Sequence, residues 1–302
     1  MIKNLIPKTN ILELNNKWKQ KQKFNSGISF LDSNSKFQIF KGEIIQIIGK
    51  HETGKTSLLI KIIAQCILPI ELSGNEFNVC LFDNNFSFNI NQLAKILLKR
   101  ISIKFTNQEE INQILLKSLE RLYIYQCKDI LELIINLKWV VSLSKRQQKL
   151  NSKSTIQAIF IDDITSHFLE FKEELPQNIF NRRITQDLEV LSNDLKITIF
   201  IVQTIIYQSK TIEYQNQQLN ENITQKTERI RKMLQSNSNL ETQWDYLIKI
   251  NIVLEKLFIS EQENSQTDST IREIGLISIL SNLGYFMDFS FRIDSQEMIF
   301  DL

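Results

Sequence analysis

The chain reads as an α/β protein, a doubly wound and mostly parallel sheet that finishes in C-terminal antiparallel strands. Two observations predict this. From residue 44 onward short β-rich runs alternate with helical patterns, and such alternation builds a parallel sheet with helical crossovers. The runs are also nearly all apolar instead of alternating with polar residues, as strands covered on both faces require.

The β-rich runs are IIQII at 44–48, NVCLFD at 78–83, LYIY at 122–125, IQAIFID at 156–162 and ITIFIVQ at 197–203. Between them lie KTSLLIKIIAQCIL, NQLAKILLKRI, ILELIINLKWVVSL and ITQDLEVLSNDL, whose apolar residues recur every three or four positions. That period marks the covering helices. Beyond residue 204 the pattern changes to a polar stretch, then to YLIKINIVLEKLFIS and GLISILSNLGYFMDFSFRID. The last third is expected to form antiparallel edge strands joined by hairpins, after one long mobile loop at 205–243. A polar N-terminal arm, 1–25, precedes a single domain over 26–302.

Apolar residues make up 42% of the chain, enough for a proper core in one large domain. Charge nearly cancels, with 36 Lys and Arg against 34 Asp and Glu, so any affinity for nucleic acid must be local. Cys66, Cys80 and Cys127 lack CxxC spacing and sit in or beside apolar runs. They read as small buried side chains in a reducing compartment, not as a zinc site. The N-terminus mixes Lys and Asn too densely with apolar residues for a secretory signal, and no stretch reaches the ~18 apolar residues of a membrane span. A soluble intracellular protein is expected.

The most specific motif follows the first strand. Residues Gly49, Lys50, His51, Glu52, Thr53, Gly54, Lys55, Thr56 and Ser57 match GxxxxGK[ST] and open an apolar-periodic helix. Two of only seven glycines fall at the positions where the backbone must turn tightly, so that N–H groups and the helix N-terminus converge on a phosphate. Lys55 would reach the β/γ oxygens and Thr56 would ligate magnesium. The competing reading is a strand-to-helix turn without a ligand, which this spacing before Lys-Thr disfavours. His51 reads as a solvated variable position.

A second acid is needed to hold the magnesium, and Asp162 stands where the buried run IQAIFID emerges. It could instead cap the next helix, a task better suited to its neighbour Asp163. The ligands implied are therefore ATP and Mg2+, with Thr56 and Asp162 on the metal. No NKxD guanine-reading element is present, and Leu72-Ser73-Gly74-Asn75-Glu76 reads as a turn, not a transporter signature.

The continuous stretch from GEIIQIIGKHETGKTSLL to NNFSFNINQLAKIL resembles the core of RecA-type recombinases, and AQCILP after the phosphate loop is similar to their eukaryotic paralogues. The likeness continues through RLYIYQCKDILELIINL, IFIDDITSHF and FIVQTI, and fades after 205 through Trp244 to FRIDSQEMIF. The resemblance implies a RecA-like P-loop core in a nuclear DNA-repair protein of homologous recombination. It implies work in a hetero-oligomer with other recombinase paralogues, on single-stranded or branched DNA, with no separate helical DNA-binding domain and no membrane.

Two further positions follow from the resemblance. Active relatives carry an acid near the end of the second core strand, in a pattern similar to Asp-Thr-Glu-Gly; here the residues are Asp83-Asn84-Asn85-Phe86. Asn85 falls where the acid should be, and an amide is no general base, so weak or absent hydrolysis is expected. Gln203 matches the glutamine that senses the γ-phosphate, with a polar strand end as its plainer reading. The loop that follows faces DNA in such folds, and Lys226, Arg229, Arg231 and Lys232 cluster within it. If that segment is helical, Lys226, Arg229 and Lys232 share one broad face, which either contacts phosphates or is simply solvated. Trp139 and Trp244 read as packing residues. The leading expectation is an ATP-binding adaptor. The alternative is a DNA-dependent ATPase, and a small-molecule kinase is disfavoured for want of an arginine-rich lid.

Overall fold

The protein is represented by a computed structural model that describes residues 22–150, 155–165, 177–205, 223–236, 245–260, 271–294 and 297–300. Its centre is a nine-stranded sheet, and the order β3-β2-β4-β5-β1-β6-β7-β8-β9 shows how the chain winds out in both directions from β1. The strands are β1 (Ile44–Gly49), β2 (Asn78–Asp83), β3 (Leu122–Tyr125), β4 (Ile156–Asp162), β5 (Thr198–Thr204), β6 (Ile248–Ser260), β7 (Ile271–Ser281), β8 (Phe286–Asp294) and β9 (Glu297–Phe300).

Neighbouring residues of one strand feed opposite cores, which is why the runs are apolar throughout. On β4, Ala158 and Phe160 join one cluster while Ile159 and Ile161 join the other. The first cluster is covered by α2 (Lys55–Ile67), α3 (Ile90–Ile101) and α4 (Gln108–Leu119), the second by α5 (Ile130–Lys149) and α6 (Gln177–Glu189). Phe160 and Phe200 stack with ring centroids 4.9 Å apart at the centre of the first face. Truncating either ring to alanine would cost about 3–5 kcal/mol through lost transfer energy and the cavity left behind.

Helix starts are set by side chains that accept orphan N–H groups. Asn89 accepts from Asn91 and Gln92 at the start of α3, and Asp129 from Glu132 at the start of α5. Helix α4 leaves no clear apolar period in the sequence because only Ile111 and Ser118 are buried along it. Its start signal was nonetheless present in Asn107 followed three residues later by Glu110, and the Asn107 side chain accepts from the Glu109 N–H.

Two boundaries differ from expectation. Phe24 is buried and lies 5.5 Å from the Phe200 ring, so the core takes in residues assigned to the N-terminal arm; the short helix α1 (Ser29–Ser33) completes this corner. Residues 1–21 of the arm lie outside the described residues. The sequence pattern groups strand β6 with the antiparallel strands, yet it pairs parallel to β1, Ile45 opposite Ile250 through Gly49 opposite Leu254. The connection from β5 to β6 contains α7 (Ile223–Ser236) and so acts as a crossover, which returns the chain in the same direction. Antiparallel pairing starts at β7, and β7 and β8 are joined by a tight turn in which the Ser281 N–H donates to the Tyr285 carbonyl.

The expected loop at 205–243 therefore contains a helix. Residues 206–222 and 237–244 lie outside the described residues, as does Trp244. Among the described helices none is long and apolar enough to cross a membrane.

Candidate nucleotide site

Strand β1 ends at Gly49, and the chain turns through residues 50–54 into α2. Gly49 has no room for a side chain: a Cβ would clash with the Thr53 hydroxyl and lie 2.7 Å from the Leu254 carbonyl oxygen. Gly54, at the helix start, adopts φ 91°, and Glu52 φ 60°. Left-handed residues alternating with right-handed ones in a turn form a concavity of backbone N–H groups that suits an anion. The α2 N-terminus adds its positive end. The loop is tied across its own mouth, since the Thr53 hydroxyl and the Lys55 ammonium both donate to the Lys50 carbonyl, at 2.9 and 2.6 Å.

Lys55 is buried, and burial lowers its pKa, while Asp163 and then Asp162 pull it back up. Thr56 Oγ1 donates to Asp162 Oδ2 at 2.9 Å. One hydrogen bond thus joins the two groups singled out for the metal, across 106 residues of sequence. Burial pushes the Asp162 carboxyl up to about 6, with Asp163 and Asp83 adding to the rise and the Thr56 hydroxyl and Lys55 opposing it. A buried carboxylate that resists ionisation gains most from a divalent cation beside it. Among the described residues no group of three or more His, Cys, Asp or Glu forms a cage. A hydroxyl and a carboxylate are the hard oxygen donors through which magnesium binds when phosphates and water complete its shell.

The other loop positions are placed as their chemistry suggests. Lys50, His51 and Glu52 are exposed, Thr53 is buried, and Ser57 is half-buried. Gln203 is buried opposite Ile48, and its side-chain carbonyl accepts from the amide of Gln46 on β1. Asn85 is exposed and its amide donates to Asp163 Oδ2 at 3.4 Å. Asp83, at the end of β2, accepts from the Ser87 and Phe88 N–H groups and so shapes the turn that carries Asn85.

Two residues at the strand ends escaped sequence reasoning, and a third, Asp163, reads from the sequence only as a helix cap. Asn84, Asp163 and Thr204 sit at the carboxyl ends of β2, β4 and β5, and all three are buried. Gln46 escaped likewise. Their signal was a polar residue inside or just past a buried run, which a single sequence cannot distinguish from an ordinary strand end. Asp163 does accept from the Thr165 N–H at 2.9 Å, as a local cap would.

The basic cluster is dispersed. Helix α7 lies on the sheet through Ile230, which is fully buried against Ile48, Ile205, Val253 and Leu280. Lys226 pairs with Asp288 at 2.8 Å, and Arg229 meets Glu255 with two hydrogen bonds of 2.6 and 3.0 Å. Those two cations reach carboxylates of the sheet because they lie on the side of the helix that Ile230 buries. Lys232, by contrast, is 74% exposed and lies 3.7 Å from Glu228. The side chain of Arg231 lies outside the described residues. The expected shared face of Lys226, Arg229 and Lys232 is thus divided between the sheet and solvent.

No family model matches the chain. Over 127 residues it is 27% identical to a DNA repair protein, XRCC2, of Mus musculus; the match covers 42% of this chain and 41% of the mouse protein's length. The similarity to a RecA-like paralogue is accordingly partial.

Proposed function

We propose that this chain is an ATP-binding protein of DNA repair, a RecA-like recombinase paralogue that acts in homologous recombination within a hetero-oligomer of other recombinase paralogues in the nucleus. The observation that carries the reading is the Thr56–Asp162 contact. It sets a hydroxyl and a carboxylate together at the mouth of a GxxxxGK[ST] loop, where Mg2+ and the nucleotide phosphates would meet. The partial similarity to a mouse DNA repair protein supports the repair setting.

In this reading the loop N–H groups hold the β-phosphate, Lys55 turns from the Lys50 carbonyl to the phosphate oxygens, and Thr56 with Asp162 holds the metal. Bound Mg2+ neutralises phosphate charge. Asn85 has no basic oxygen with which to accept a proton from water, so nucleotide serves to shape the protein more than to be consumed.

A partner surface is supported at the β3 edge of the sheet. Strand β3 is an edge strand, and Tyr123 and Ile124 on it are exposed, as are Leu131, Ile135 and Trp139 spaced four apart on α5. An apolar helix stripe beside an open strand edge is characteristic of a protein interface. Trp139 also touches Tyr125, at 5.8 Å between ring centroids, so it packs rather than stands free for a base. Any contact with single-stranded or branched DNA would draw on exposed cations such as Lys232, since Lys226 and Arg229 are already engaged.

Calorimetric titration of the full chain with ATP and Mg2+ tests the nucleotide reading. Binding is expected for the natural protein and about 10- to 100-fold weaker for Lys55→Ala, the size of a lost charge-assisted contact; equal affinities would refute the site. A second reading, a DNA-dependent ATPase, draws support from the carboxylate of Asp163 lying within 3.4 Å of the Asn85 amide. Turnover measured with and without DNA separates the two.

A further inference from the structure

Three polar groups from three separate strand ends converge on one buried side chain. Asp163 is 2% exposed. Its Oδ1 accepts from the Thr165 N–H at 2.9 Å and from the Thr204 N–H at 3.2 Å, and its Oδ2 accepts from the Asn85 amide at 3.4 Å. Its backbone carbonyl accepts from the Asn84 amide at 3.2 Å, and the Asn84 N–H donates to the Asp162 carbonyl at 2.6 Å. A residue that merely capped a helix would bind the local Thr165 N–H and need none of the others.

The partners are informative. Thr204 follows Gln203, and its N–H is shared between Thr165 Oγ1 at 2.9 Å and Asp163 Oδ1 at 3.2 Å; Ile205 then donates its N–H to the Gly49 carbonyl at 3.0 Å, so the end of β5 is pinned both to the turn that carries Asp163 and Thr165 and to the first residue of the phosphate loop. In the nucleotide reading Asn85 and Gln203 serve the terminal phosphate, so a carboxylate that accepts from the Asn85 amide and from the N–H that follows Gln203 belongs to that end of the site.

We propose that Asp163 is a positioning residue of the nucleotide site: one carboxylate holds the Asn85 side chain and the backbone beside Gln203 in fixed relation to the strand that carries Asp162. Strand ends carry no mutual constraint beyond the last ladder bond, and groups that must meet a phosphate together are effective only when their spacing is held to a fraction of an ångström. A buried carboxylate with two oxygens can do this for two strands at once. The inference rests on the nucleotide reading and assigns to it a residue that acts through others.

The test compares affinities of the full chain for ADP and for a non-hydrolysable ATP analogue, both with Mg2+, in the natural protein, Asp163→Ala, Asp163→Asn and the swap Asn85→Asp with Asp163→Asn. Thermal unfolding confirms that each variant is folded. Asp163→Ala is expected to lose about tenfold in affinity for the ATP analogue, the worth of one charge-assisted hydrogen bond, and less than about threefold for ADP, because only the terminal phosphate needs the aligned set. Asp163→Asn turns an amide toward the Asn85 amide and should lose the preference as well. The swap restores a donor facing an acceptor and should recover it. Equal losses for the two nucleotides in Asp163→Ala, or a swap that fails to recover the preference, would overturn the proposal while leaving the phosphate loop intact as a binding site. Failure of the natural protein to bind either nucleotide would overturn both.

Discussion

The carboxyl ends of β1, β2, β4 and β5 and the sheet face beneath α7 treat charge in opposite ways. Beneath α7 each buried cation meets a carboxylate, Lys226 with Asp288 and Arg229 with Glu255. At the strand ends like charges are gathered instead, so that Asp83 and Asp163 both push the Asp162 carboxyl upward and burial pushes it further. Matched ion pairs hold an element in place. A cluster of unlike design costs stability and persists where a ligand supplies the missing charge. Two regions of similar polarity are thus built differently, one with its charges matched and one with them gathered as the proposed nucleotide site requires.

That contrast can be broken most forcefully at Asn85. The isolated chain is expected to turn over ATP near background, and Asn85→Glu to raise the rate by ~10²–10⁴-fold if the position faces the attacking water. Phosphate release measured for both proteins decides it; a natural protein that is already fast, with no gain from the substitution, would mean that Asn85 is not at the catalytic position.

The next largest effect is on the matched side. Breaking the Arg229–Glu255 pair by Arg229→Ala leaves a mostly buried carboxylate facing apolar neighbours and should cost about 1–3 kcal/mol, less than for a fully buried pair because both side chains retain some solvent contact. Urea unfolding would show it as a lower midpoint. An unchanged midpoint would return Arg229 to the pool of cations available to DNA.

Asp162 offers the reverse sign. Its folded pKa of about 6 lies above the ordinary 3.8, so the folded protein holds this proton more tightly than the unfolded chain does. The stabilisation is complete below about pH 4 and is lost as pH rises through about 6. In EDTA, Asp162→Asn should therefore be more stable than the natural protein at pH 7, by roughly 1–3 kcal/mol, and no more stable at pH 4. The same substitution should abolish any gain in stability on adding Mg2+ and ATP. A variant less stable at pH 7 would show that the carboxylate is structurally required.

Smallest is the effect of Lys232→Ala, within about 0.5 kcal/mol on stability, since exposed i,i+4 pairs contribute little. Its informative readout is the salt dependence of single-strand binding, where losing one phosphate contact lowers the slope by roughly 0.7. An unaltered slope would leave Lys232 as a solvated charge.

The amino-acid sequence alone determined the parallel core, because strands buried on both faces are continuous apolar runs and helices repeat every three or four residues, and both patterns are local. The GxxxxGK[ST] motif was legible for the same reason, since the glycines, Lys55 and Thr56 lie within nine consecutive residues. Asp162 was legible as a polar residue ending a buried strand, but its hydrogen bond to Thr56 exists only because β4 is brought beside the start of α2. Tertiary structure alone decided the rest. β6 runs parallel because a helix lies in its connection, Asp163 gathers Asn85 and Thr204 because three strands end at one level, and Lys226 and Arg229 turn inward because the neighbouring Ile230 needs a core. Each of these depends on residues far apart in the chain whose pairing no local pattern records, and burial then selects which charges must be matched and which can wait for a ligand.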